Sequence, residues 1–174
     1  MNVGTPQKIV VDGYNVIYAD DSLRRHALRD MERARRDFLE RIKAYLAGKK
    51  IQITVVFDGR SGMVDTESVV PGKLQVIYSA RDQTADDLII SMISESDSPR
   101  AFLVATSDNA HIRPAVSRLG CAVIGAKGFL KRISPVDVAV DNEVGDEKPQ
   151  TEDTDIDYWL AEFEGEGGDS DKHK

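Results

Sequence analysis

Short apolar runs alternate along this chain with longer stretches in which apolar residues recur every three or four positions. Residues 8–11 contain Ile9, Val10 and Val11 in an unbroken run, the mark of a central strand covered on both faces. In residues 21–47, Leu23, Ala27, Met31, Ala34, Phe38, Ile42 and Leu46 fall on one helical stripe. Asp30 is placed to cap and divide that stretch, and Gly48 to close it. Residues 51–57, 74–78, 101–105 and 121–124 read as four further strands, rich in β-branched residues. Thr84 is expected to cap a helix running to about Ser94, and Pro114 sets the start of a later helix near residues 111–113. Residues 59–72 hold Gly59, Gly62, Pro71 and Gly72 with no clear period, which reads as a mobile loop. Strands alternating with helices predict an α/β chain: a three-layer α/β/α, Rossmann-like fold around a mostly parallel sheet of about five strands.

After Pro135 the pattern stops, so the expected domain spans residues 1–135 and residues 136–174 form a largely flexible acidic tail. Within the tail, Ile156, Trp159, Leu160 and Phe163 make a one-sided stripe, a short amphipathic helix over residues 155–163 that could dock on a protein partner. Charge divides at the same place. Residues 1–135 carry 20 Lys and Arg against 16 Asp and Glu, and residues 136–174 carry 3 against 14. The net charge of −7 therefore conceals a mildly basic body able to meet a polyanion. No apolar run approaches the ~18 residues of a membrane span. The polar first residues do not read as a signal peptide, and the lone Cys121 has no partner for an internal disulfide. These features set the expectation of a cytoplasmic protein without a membrane partner.

The chemistry-bearing residues sit where the strands end. Asp12 follows the first strand, Asp58 the second and Asp108 the fourth, while Asp86 lies in the first turn of the helix after Thr84. In an open α/β sheet the ligand crevice lies beyond the carboxyl ends of the strands. Four carboxylates delivered there repel one another unless a cation holds them, so the pattern points to a divalent-metal site. In Asp12-Gly13-Tyr14-Asn15, Gly13 lets backbone approach a ligand closely and Asn15 offers an oxygen and two donors to water or phosphate. The plainer reading of that tetrapeptide is a strand-to-loop turn with an Asx cap.

Taken together, Ile9-Val10-Val11-Asp12-Gly13-Tyr14-Asn15, Val56-Phe57-Asp58-Gly59, Thr84-Ala85-Asp86 and Thr106-Ser107-Asp108 resemble the YacP-like branch of the NYN domain family, relatives of PIN-domain nucleases. The resemblance covers about residues 8–135, with the motifs in the family's order. It implies a PIN-like fold and a metal-dependent endoribonuclease. Asp12, Asp86 and Asp108 match the acids that hold Mg2+ or Mn2+, and Asp58 matches a fourth catalytic acid. Gln83 stands where members often carry Glu. The implied substrate is RNA, single-stranded mRNA above all, with the ribosome as a candidate partner.

Asn15, Arg60, Arg81, Thr106, Ser107 and Asn109 are the candidate substrate contacts, the last three also being suited to capping. Arg24, Arg25, Arg29, Arg33, Arg35 and Arg36 read first as a charged outer face, partly paired with Glu32, Asp37 and Glu40. His111 reads as a helix-surface histidine, and Tyr14 and Tyr18 as core aromatics before base-stacking ones. The competing functional reading is a noncatalytic RNA- or ribosome-binding module that retains the fold.

Overall fold

The computed structural model describes residues 8–134. The expected tail and its short helix lie outside the described residues. The elements run β1 (Lys8–Asp12), α1 (Gly13–Ala19), α2 (Asp21–Ala27), α3 (Met31–Leu46), β2 (Gln52–Phe57), β3 (Asp65–Val70), β4 (Leu74–Tyr78), α4 (Ala85–Ser94), β5 (Phe102–Ala105), α5 (Ile112–Arg118), β6 (Ala122–Ile124) and α6 (Ala126–Ile133). The six strands form one sheet in the order β3-β4-β2-β1-β5-β6. All neighbours are parallel except the β3–β4 pair.

Alternation along the central strands divides the core between the two faces of the sheet. Val10, Val56, Ile77 and Val104 pack with Leu88, Ile89 and Ile93 of α4 and with Ile112 and Val116 of α5. Buried residues of α1, α3 and α6, among them Val16, Phe38, Ile42 and Phe129, form the rest of the core. The result is a mostly parallel three-layer α/β/α fold. Among the described residues no helix is long and apolar enough to cross a membrane.

Three elements depart from the sequence expectation. The stretch read as a loop at residues 59–72 contains β3, an antiparallel edge strand with a register shift between Ser68 and Val70. Its residues Asp65–Ser68 are all exposed, so no buried face imposes a period of two. The Asp12-Gly13 turn passes straight into α1, with Asp12 as its N-cap accepting from the Asn15 amide at 3.4 Å. Residues 126–133, to which the sequence pattern assigns no element, form α6, too short for its periodicity to stand out.

Asp30 caps α3, accepting from the Arg33 amide at 3.1 Å, and Gly48 follows the helix with φ of +74°. Thr84 and Asp87 form a reciprocal capping box at the start of α4. Packing requires Gly13, because a Cβ there would overlap the ring of Phe57.

Candidate active site

The parallel strands bring their carboxyl ends to one edge, and β1 lies where the order reverses, with β2 on one side and β5 on the other. That is the switch point at which a crevice opens. Asp12 ends β1, facing Val56 across the β2 ladder, and Asp58 stands two residues beyond Val56. Val11 pairs with Ala105, so Thr106 emerges beside Asp12.

The crevice is tied by hydrogen bonds between its loops. Thr106 is fully buried; its hydroxyl donates to Asp12 Oδ2 at 3.4 Å and accepts from the Asp108 amide at 3.0 Å. Asn15 Oδ1 accepts from the Ser107 amide at 2.8 Å, and Ser107 Oγ accepts from the Ala126 amide at the start of α6 at 3.0 Å. Asp58 Oδ1 accepts from the Ala85 amide at 2.8 Å, fixing the first turn of α4 and with it Asp86. Asp108 Oδ1 accepts from the amides of Ala110 and His111 at 2.7 and 3.0 Å.

These ties converge the acids. One ligand atom each from Asp86, Asp108 and His111 lies within 4.8 Å of the others. Asp12 stands outside that trio yet within electrostatic reach of Asp86 and Asp58. Asp12 is only 7% exposed, and burial, reinforced by the charges of Asp86 and Asp58, pushes its pKa up to about 6 against the hydrogen bonds from Asn15 and Thr106. Burial also raises Asp86, together with the adjacent Asp108 carboxyl and the charge of Asp58. For Asp108 burial raises the pKa, but the hydrogen bonds from the His111 and Ala110 amides, together with its contacts to Asp86 and the His111 ring, outweigh it, so its pKa falls. The pair divides its proton accordingly, with Asp86 the more basic member.

No Lys or Arg forms an ion pair with Asp12, Asp58, Asp86 or Asp108 among the described residues. Carboxylate oxygens backed by one imidazole, crowded and without a cationic partner, make a donor set suited to a hard divalent ion.

The expected substrate contacts divide. Thr106 and Ser107 spend their hydroxyls on hydrogen bonds within the protein, which place the acids and the loops, and the Asn15 oxygen is likewise engaged, while its side-chain N–H donors meet no acceptor among the described residues. Arg60 lines a cleft beside Asp58, and Arg81 donates through Nε to the Arg60 carbonyl at 3.3 Å. Asn109 is exposed on the loop after Asp108.

The sequence undervalues two residues. His111 belongs to the closest trio, which its spacing of three from Asp108 at a helix start signals. Arg35 is not part of an outer charged face: its guanidinium lies 5.8 Å from the Tyr78 ring centroid and 5.9 Å from that of Phe57, and it donates to Tyr14 Oη at 3.0 Å.

The model of the YacP-like NYN domain family matches residues 9–164. Two solved structures are similar in fold. The crystal structure of a tryptophan-to-leucine mutant of Rae1 (YacP) from Bacillus subtilis shares 24% identity, with 73% of this chain and 74% of that one covered at a TM-score of 0.59. The crystal structure of Rae1 (YacP) from Bacillus subtilis shares 24% identity over 72% of each chain at a TM-score of 0.58. No curated protein gives a significant match. The family match, within the PIN-like nucleases, supports a ribonuclease-type function.

Proposed function

The chain belongs to the YacP-like NYN domain family, and on that premise we propose that it is a metal-dependent endoribonuclease that hydrolyses phosphodiester bonds of single-stranded RNA. The observation that carries this reading is the convergence of Asp12, Asp58, Asp86 and Asp108 at one sheet edge, with Asp12 and Asp86 both raised in pKa. Crowded carboxylates without a Lys or Arg partner are costly unless their charge is used to hold a cation.

In this proposal Asp86 and Asp108 hold the ion, Mg2+ or Mn2+, with Asp12 and His111 completing the set. Such an ion, when bound, shields the charge of the phosphodiester and acidifies water. Asp58 keeps one oxygen on the Ala85 amide and presents the other toward water or phosphate. The Asn15 amide group, its oxygen anchored by Ser107, offers its N–H donors to a phosphate oxygen. Thr106 holds Asp12 and Asp108 in fixed relation. Arg60 and Arg81 stand beside the crevice as phosphate contacts, and mRNA, met on the ribosome or free, is the proposed substrate.

The test is incubation of the full chain with single-stranded RNA in Mn2+, in Mg2+ and in chelator, followed by mapping of new ends. Cleavage is expected only with metal, and Asp86→Asn or Asp108→Asn should reduce it to background while circular dichroism reports an unchanged fold. Cleavage that persists in chelator, or in both variants, overturns the assignment. RNA binding with no cleavage under any metal condition selects a noncatalytic RNA-binding module.

A further inference from the structure

Next to the acids, on the β2–β4 flank, lies a cleft of about 520 Å3 whose walls include Tyr14, Arg35, Arg60, Asp65 and Tyr78. A volume of this size falls in the range that takes a small ligand or a nucleotide. Asp58 belongs both to the cleft wall and to the acid cluster, where it raises the pKa of Asp12 and Asp86. A strand whose phosphate meets the acids therefore passes this opening with its next base.

We propose that the cleft seats one unpaired base of the bound RNA, and that it selects guanine. The proposal rests on the ribonuclease reading for the phosphate's position, and on four observations in the cleft for the base.

The first is a prebuilt aromatic surface. Tyr14 packs on Phe57 with centroids 4.8 Å apart, and Phe57 packs on Tyr78 at 5.8 Å. Phe57 is fully buried, whereas Tyr14 and Tyr78 are half-buried, so only the two tyrosines offer surface to a ligand. The second is the Arg35 guanidinium, held over Tyr78 and fixed by Tyr14 Oη at 3.0 Å and Glu32 at 3.2 Å. A planar cation locked in place stacks on a base with little further loss of freedom.

Third is the charge of the lining. Arg35 and Arg60 face Glu32, Asp58 and Asp65, an excess of acceptors unsuited to a second phosphate. Fourth is the position of Asp65, directly opposite Tyr78 in the β3–β4 ladder and therefore beside that ring on the same face. The Watson–Crick edge of guanine presents two adjacent donors, N1–H and the N2 amino group, which a carboxylate accepts as a pair. Adenine and cytosine offer one amino group beside a ring acceptor that a carboxylate repels, and uracil offers one N–H between two carbonyls. Arg60, which forms no ion pair among the described residues, is placed to meet the phosphate joining this base to the cleaved bond.

The test is fluorescence titration of the full chain, in chelator so that nothing is cut, with short oligouridines and with the same oligomers carrying one guanosine. Guanosine is expected to tighten binding roughly 10-fold, the scale of one bidentate base contact. Asp65→Asn, an exposed and nearly isosteric change, should erase that preference. Tyr78→Leu, which retains apolar bulk under Arg35, should weaken both oligomers by roughly 5- to 100-fold, the scale of a lost stacking platform. A preference that survives Asp65→Asn, or the absence of any preference in the wild-type chain, overturns the guanine assignment. Unchanged affinity in a folded Tyr78→Leu variant overturns the base site altogether. Because no cleavage is required, a chain that never cuts RNA still reports on the cleft. Metal-dependent cleavage indifferent to both variants refutes the cleft and leaves the nuclease reading standing.

Discussion

Asp12→Asn should stabilise the metal-free protein, although Asp12 belongs to the proposed site. Its carboxyl is lifted from 3.8 to about 6 by burial and by Asp86 and Asp58. At about 1.4 kcal/mol per pH unit, the ionised form costs the fold about 3 kcal/mol at neutral pH. The sign is the reverse of a salt-bridged acid. Because the folded-state pKa lies above the unfolded one, the cost is absent below about pH 4, grows as the pH rises toward 6, and is constant above it. Asn removes the charge but must still satisfy the amide of Asn15 and the hydroxyl of Thr106, which returns roughly 1 kcal/mol of the gain. The net stabilisation is therefore about 2 kcal/mol, or roughly 5–10 °C in melting temperature for a body of this size. Thermal melts in chelator should show this gap at pH 7.5 and a narrower one at pH 4.5. Added Mn2+ should raise the wild type more than the variant, since the ion stabilises the folded state by mass action. A variant no more stable than wild type at pH 7.5 in chelator, or a gap independent of pH, would refute the reasoning.

Three further outcomes follow from the geometry. His111→Ala should raise the Mn2+ concentration needed for half-maximal cleavage several-fold without abolishing activity, measured by metal titration of initial rates; complete loss would give the imidazole a larger part than its exposed position supports. Gly13→Ala should cost about 1–3 kcal/mol in chemical denaturation, because the new methyl overlaps the Phe57 ring; an unchanged midpoint would mean that the ring moves aside freely. Both Asp58→Ala and Asp58→Asn relieve the repulsion of Asp12 and Asp86, but Asp58→Ala should be about 1 kcal/mol less stable than Asp58→Asn through the lost tie to the Ala85 amide, and equal melts for the two would remove the helix-fixing role.

The central layer was legible because parallel strands buried on both faces must be apolar throughout, as Ile9-Val10-Val11 and Val55-Val56-Phe57 are. The helix starts at Met31 and Ala85 were legible because Asp30 and Thr84 cap them. What escaped was structure lacking a buried face or length. β3 lies on the sheet's edge with most of its residues in solvent, so its composition reads as loop. In the site, the strand-end acids were readable by position, since a parallel sheet gathers its carboxyl ends. The inward turn of Arg35 was not, because it depends on rings contributed by Tyr14, Phe57 and Tyr78, which are distant in sequence. Thr106 and Ser107 show the limit of residue type: hydroxyls beside an acid suit a phosphate and an internal tie equally well, and only the fold decides.

The Ser107 staple has a consequence for divergence. Through its amide and its hydroxyl, this one residue joins the start of α1 to the start of α6, so the loops after β1, β5 and β6 are mutually locked. Insertions there would pull the acids apart. The β2–β3 connection is tied instead to the segment between β4 and α4, through Asp58 to Ala85, Gly59 to Ser79 and Ser61 to Arg81, and its remaining residues Gly62–Val64 are all exposed. Change confined to residues 62–64 therefore leaves Asp12 and Asp108 where they are, whereas change at Asp58, in the same connection, would release the first turn of α4 and with it Asp86.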